Sequence, residues 1–159
     1  MCSSDLPHMA VTRPGNVDVV WYGTTATGEP NGVCGTITSQ HPCTDGFPDF
    51  TDPSAPAWHV YIAQSRNALA GSPKFMQAMV DTSVTHYGRI CTNGIVCGSS
   101  DRSLLDFISV GVDCTGLAHV AYGSNTRSQE RHGQTFVRVA NQVGGASIAT
   151  PVACDTPVG

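Results

Sequence analysis

Apolar and polar positions change period several times along this chain. No stretch holds the three-to-four spacing of an amphipathic helix long enough to bury one face. Residues 16–23 (NVDVVWYG) are β-branched and aromatic with turn residues on both sides, which predicts a strand. Residues 58–64 (WHVYIAQ) predict a second strand and 74–81 a third, while 65–69 leave room for a single turn. Residues 104–112 form an apolar run broken only by Asp106, Ser109 and Gly111. A run of that length between turn signals predicts a strand buried on both faces. Asp113-Cys114-Thr115-Gly116 has hairpin-turn length, and 117–122 is the returning strand. The pattern as a whole predicts an all-β chain.

The strands repeat. Val17-Asp18-Val19-Val20-Trp21-Tyr22-Gly23 aligns with Leu117-Ala118-His119-Val120-Ala121-Tyr122-Gly123, and Val60-Tyr61-Ile62-Ala63-Gln64 with Val137-Arg138-Val139-Ala140-Asn141. In each copy a strand ending in Tyr-Gly leads through a polar loop to a strand ending in alanine and an amide. The loop is long in the first copy (24–57) and short in the second (124–133). Sheet units repeated with loops of variable length predict an incomplete β-propeller, about two blades of antiparallel strands. Read this way, the first copy lacks its innermost strand and the second lacks a clear outermost one.

Composition narrows the setting. Only 13% of the 159 residues are charged, Lys74 is the sole lysine, and there are 17 glycines and 10 prolines. That is a loop-rich, extracellular-looking composition with too many regularly spaced apolar residues for disorder. The formal charge of −4 argues against nucleic acid and anionic membranes as partners. No apolar run reaches membrane-spanning length. The opening MCSSDL is also what a common sequencing adapter encodes in one frame, so residues 1–9 are expected to be scar and leader, and 10–159 the folded segment.

There are seven cysteines; setting Cys2 aside with the scar leaves six. Cys34 with Cys43, and Cys91 with Cys97, lie close enough to staple short loops. Neither pair has the spacing of a zinc or thioredoxin-type site, so two disulfides in an oxidising compartment are expected. Cys114 and Cys154 remain and could pair.

The segments VDVVWYGT, WHVYIAQSRNAL, HYGRICTNGIVC, DRSLLDF and GLAHVAYG together resemble the C-terminal blades of bacterial sialidase-like propeller proteins, which carry neuraminidase repeats. The resemblance spans residues 16–143. It implies a secreted or cell-surface six-bladed parent whose other blades lie upstream. It further implies an exo-α-sialidase-type glycan hydrolase, in which this segment by itself is inactive. The alternative is a non-catalytic extracellular propeller that binds glycan or protein. The family's Ser-x-Asp-x-Gly-x-Thr-Trp box is absent, so the resemblance speaks to fold ahead of activity.

Sialidases hold the sugar carboxylate with arginines and attack with a tyrosine assisted by a glutamate. Guanidinium forks suit a carboxylate, and a neutral tyrosine can approach a carbon beside an anion. Arg102, following Asp101 at the entrance to the apolar run, is the candidate carboxylate-binding residue. A structural ion pair with Asp101 or Asp106 is its other role. Tyr87, beside His86 and Arg89, is a candidate for lining the same mouth or for packing the Cys91–Cys97 loop. Tyr22 and Tyr122 occupy equivalent repeat positions and read as packing residues. Glu29 and Glu130, the only glutamates, fall in loops. Asp45, Asp49 and Asp52 fit no defined calcium loop, so no metal and no cofactor is expected, and the expected ligand is a glycan or small acidic sugar.

Overall fold

Two antiparallel sheets pack face to face in the computed structural model, which describes residues 3–26, 55–88, 90, 104, 107–125, 135–145 and 147–148. Its strands are β1 (Ser3–Arg13), β2 (Asn16–Thr24), β3 (Ala57–Ser65), β4 (Met76–Met79), β5 (His86–Tyr87), β6 (Ile108–Val112), β7 (Ala118–Ser124) and β8 (Phe136–Asn141). The first sheet has the order β1-β2-β3-β4, with β5 continuing along β3 beyond β4; the second has the order β6-β7-β8. The described residues contain no helix and form an all-β fold.

Local chemistry sets the tight turns. Pro14-Gly15 closes β1 onto β2, with Gly15 at a φ of 84°. Asp113 closes β6 onto β7. Its carboxylate accepts the N–H groups of Thr115 and Leu117, and Gly116, at a φ of 81°, returns its own N–H to the Asp113 carbonyl. A side chain at either glycine would have to hold the left-handed region, which only glycine occupies at no steric cost.

Alternation then decides which residues meet. Val20 and Tyr22 of β2, with Trp58 and Val60 of β3, face Ile108 and Val110 of β6 and Ala118, Val120 and Tyr122 of β7. Ile90 and Leu104 complete this buried cluster. On the other face of the first sheet Trp21 stacks on Tyr61, with ring centroids 5.9 Å apart. The two sheets touch along β1 and β6, where the Val110 N–H donates to His8 Nδ1 at 3.2 Å. At the opposite side a cleft of about 410 Å³ separates β4 from the end of β8.

Three sequence expectations change. The first copy does have a strand inside β2: Ser3–Arg13 runs antiparallel to it, with register irregularities between Asp5 and His8 and between Val11 and Arg13. The run 104–112 is not buried on both faces. Within β6, Ile108 and Val110 are buried while Ser109 and Gly111 are exposed, as is Phe107 just before the strand. Ser109 and Gly111, two of the residues that interrupt the run, mark its outer face. Finally, the repeat is offset by one residue in its second strand. Tyr22 lies opposite Val60, but Tyr122 lies opposite Arg138, so Gln142, not Asn141, is the counterpart of Gln64.

Candidate functional site

The two ends of the sandwich differ. At one end the chain reverses through 14–15, 66–75, 113–116 and 142–147. At the other end β2 leaves at Thr24 and β3 re-enters at Ala57; β7 leaves at Ser124 and β8 re-enters at Phe136; β5 leaves at Tyr87 and β6 enters at Ile108. All three of these connections therefore leave and re-enter the described strands at one end. Loops carried on a rigid frame are where binding groups concentrate.

A buried polar layer floors this end. Asn125 donates its N–H to the Thr85 carbonyl at 2.7 Å, and Thr85 in turn donates N–H and Oγ1–H to the Trp58 carbonyl at 2.8 and 2.9 Å. Trp58, fully buried, donates its indole N–H to the Gly88 carbonyl at 2.8 Å. His86 is also fully buried, its Nδ1 2.7 Å from Asn125 Oδ1. Ser124 donates its hydroxyl to the Thr85 carbonyl. The network joins the first sheet (β3, β5) to the second (β7), so the floor is rigid where the loops begin.

Tyr87 stands half-buried on this floor, paired with Ala57. Arg102 and Asp101 lie outside the described residues. So do Cys34, Cys43, Cys91 and Cys97 and the aspartates Asp45, Asp49 and Asp52. The described residues nearest to Arg102 on either side, Ile90 and Leu104, are both buried in the core. Cys114 is disulfide-bonded to a cysteine outside the described residues.

Neither repeat tyrosine is arranged as a nucleophile. Tyr22 OH donates to the Phe107 carbonyl at 2.9 Å and accepts the Gly123 N–H at 2.8 Å, and burial holds its phenol well above the ordinary range. Tyr122 donates to Asp81 Oδ2 at 3.2 Å, and Arg138 Nη1 lies 3.8 Å from the same oxygen. Burial first, and the Asp81 charge second, raise the Tyr122 phenol. Asp81 is held low, chiefly by the Ser83 N–H. This Tyr–Asp–Arg group closes the sheet interface between the cleft and the loop end. The repeat alignment sets Val137, not Arg138, at the place of Val60, so it does not bring Arg138 to Tyr122.

No family model matches this chain, and neither does any curated protein or solved structure. Among the described residues no three His, Cys, Asp or Glu side chains gather as a metal set, and no helix is long and apolar enough to cross a membrane.

The cleft is the other concavity. Ile62, Val80, Val120 and Ala140 give it apolar walls, Met76 and Met79 its lip, and the Gln64 and Gln142 amides its floor. Both amides are already paired with each other, so the cleft offers an apolar surface ahead of hydrogen-bonding groups.

Proposed function

We propose that this chain is a pair of blades from an extracellular propeller of the sialidase-like type, and that it contacts an acidic glycan through its loop end. The observation that carries the reading is the shape of the pair. A four-stranded meander and a three-stranded one touch along their first strands and part toward their last, as neighbouring blades do around an axis. The outer faces agree with it. Met9 and Val11 on one sheet, and Phe107, Val137 and Val139 on the other, are apolar and exposed, as surfaces meant for further blades would be.

Within this frame the binding residues are Arg102 and Asp101 together with Tyr87 at the end of β5. Arg102 grips the sugar carboxylate and Asp101 orients the guanidinium. Both repeat tyrosines serve the packing, which favours binding over bond cleavage for this segment; hydrolysis in a larger parent would draw its nucleophile from other blades.

Sialic acid titrated into the chain, followed through the Trp58 indole and Tyr87 resonances, tests this. Saturable shifts that Arg102→Lys weakens by about 1–3 kcal/mol, with no change in melting temperature, are the expected result. Unchanged spectra at millimolar sugar would dispose of the glycan reading.

A further inference from the structure

The two sheets end in four edge strands, and three of them are protected. β1 carries Pro7 and two register irregularities. β6 lies against β1 and gives the Val110 N–H to His8. β4 is only four residues long and follows Pro73-Lys74. Short strands, prolines, lysines and irregular pairing are the devices by which sheet edges avoid other strands.

β8 has none of them. Its six residues, FVRVAN, contain no proline or lysine, and its register with β7 runs unbroken from Ser124↔Phe136 to His119↔Asn141. Its one charge, Arg138, turns inward to Asp81. The Gln142 N–H donates inward to the Ala118 carbonyl. Backbone groups alternate sides along a strand, so those of Val137, Val139 and Asn141 face the open edge. Val137 and Val139 are 73% and 65% exposed. In the first sheet the corresponding place beside β3 is filled by β4, which meets Gln64 through Met76. Beside β8 no described strand fills it.

We propose that β8 pairs antiparallel with β8 of a second copy of this chain, joining two three-stranded sheets into one. Self-pairing centred on Val139 uses the outward-facing backbone groups of both strands. It sets Val139 against its own counterpart, Val137 against Asn141, and Arg138 against Ala140, so no like charges oppose each other. The contact is isologous and closes as a dimer. It uses an edge, not the outer faces, and is independent of the glycan reading.

Sedimentation velocity across micromolar concentrations, with amide hydrogen exchange on the same samples, tests it. The expected result is a dimer that dissociates on dilution, with the Val137 and Val139 amides protected only in the dimer. Val139→Pro removes an outward N–H without touching the β7 ladder, and Val137→Lys charges the edge. Each should abolish the dimer while the far-ultraviolet spectrum stays unchanged. If Val139→Pro fails to fold, Val137→Lys decides, since Val137 is the most exposed large apolar residue of β8. Met9→Lys, on the outer face of the first sheet, should leave the dimer intact. A wild-type monomer throughout, a dimer that survives Val137→Lys, or a dimer lost with Met9→Lys would each overturn the proposal.

Discussion

Gln64 and Gln142 bind each other reciprocally across the two sheets. Gln64 Nε2 donates to Gln142 Oε1 at 3.2 Å, and Gln142 Nε2 returns the bond to Gln64 Oε1 at 3.3 Å. The remaining capacity is used locally: Gln64 also donates to Asp18 Oδ1 at 2.9 Å, and Gln142 Oε1 accepts the Ala118 N–H at 2.9 Å. One amide pair thus ties equivalent positions of the two repeats to each other and each to its neighbouring strand.

Gln142→Leu strips partners from the Gln64 amide and the Ala118 N–H together. It should destabilise by about 1–3 kcal/mol, the cost of polar groups left unpaired. Gln64→Leu in the same background should cost less than it does alone, because the partner it would orphan is already gone. Urea midpoints of the four proteins measure the coupling. Additive losses would mean that the reciprocal bonds contribute nothing.

Asp18 is fully buried, and its Oδ2 has no hydrogen-bond partner among the described residues. Burial raises its carboxyl above the ordinary 3.8, against the opposing effect of the Gln64 hydrogen bond. A carboxyl held more tightly protonated in the folded state favours folding below pH 3.8. That contribution is lost as pH rises through the raised value. Asp18→Asn removes the titration. The variant should gain stability relative to wild type as pH rises above 3.8 and lose the advantage in more acidic solution. Parallel denaturation series against pH would show the two curves converging toward acid; parallel curves would mean that Asp18 does not titrate on folding.

His119 bridges the β6–β7 turn and the end of β8, with Nε2 3.0 Å from Asp113 Oδ2 and Nδ1 2.7 Å from Asn141 Oδ1. Asp113 first and Asn141 second raise its pKa above 6.5. Asp113 is held far below its usual range, mainly by the Thr115 hydroxyl and then by His119. The histidine's contribution is whole below pH 6.5 and fades as pH rises through its raised value. The carboxylate's is whole above 3.8 and fades toward acid. In Asp113→Asn the His119 ring resonances should titrate closer to 6.5. An unmoved midpoint would put the source of the shift elsewhere.

Tyr22→Phe keeps the ring and deletes one oxygen. The Gly123 N–H, buried at the junction of the two sheets, keeps the Phe107 carbonyl at 2.8 Å but loses the tyrosine oxygen, and the variant should lose about 0.5–1.5 kcal/mol. A matched Tyr61→Phe, on the outer face, should cost much less. Equal losses at both positions would show that the oxygen does not matter.

The strands were legible in the sequence wherever a turn residue or a change of period marked them. NVDVVWYG became β2, WHVYIAQ β3, and Asp113 to Gly116 the predicted turn. Their faces were harder to read. The alignment of Ala63-Gln64 with Ala140-Asn141 was the obvious one, yet the ladder is set by Gln64 and Gln142. A slip of one residue exchanges the two sides of a strand. The alignment thus sets Val137 opposite Tyr122, although the residue there is Arg138, which meets Asp81. β1 begins within residues 1–9, the stretch expected to be scar and leader, and it pairs with β2 whatever its origin. Of the candidate site, Tyr87 ends β5, while Arg102 and Asp101 lie outside the described residues. His86 and Asn125 pair only because strands distant in sequence end side by side.

The division between the two ends of the sandwich also governs how this molecule can change. At the tight end, added residues would disturb Gly15, Asp113 and the paired glutamines together. At the other, chain length enters above a floor that is already hydrogen-bonded shut at Trp58, Thr85 and Asn125. Insertions and rewritten loops can accumulate there without renegotiating the interior, so specificity is free to diverge while the frame is inherited whole.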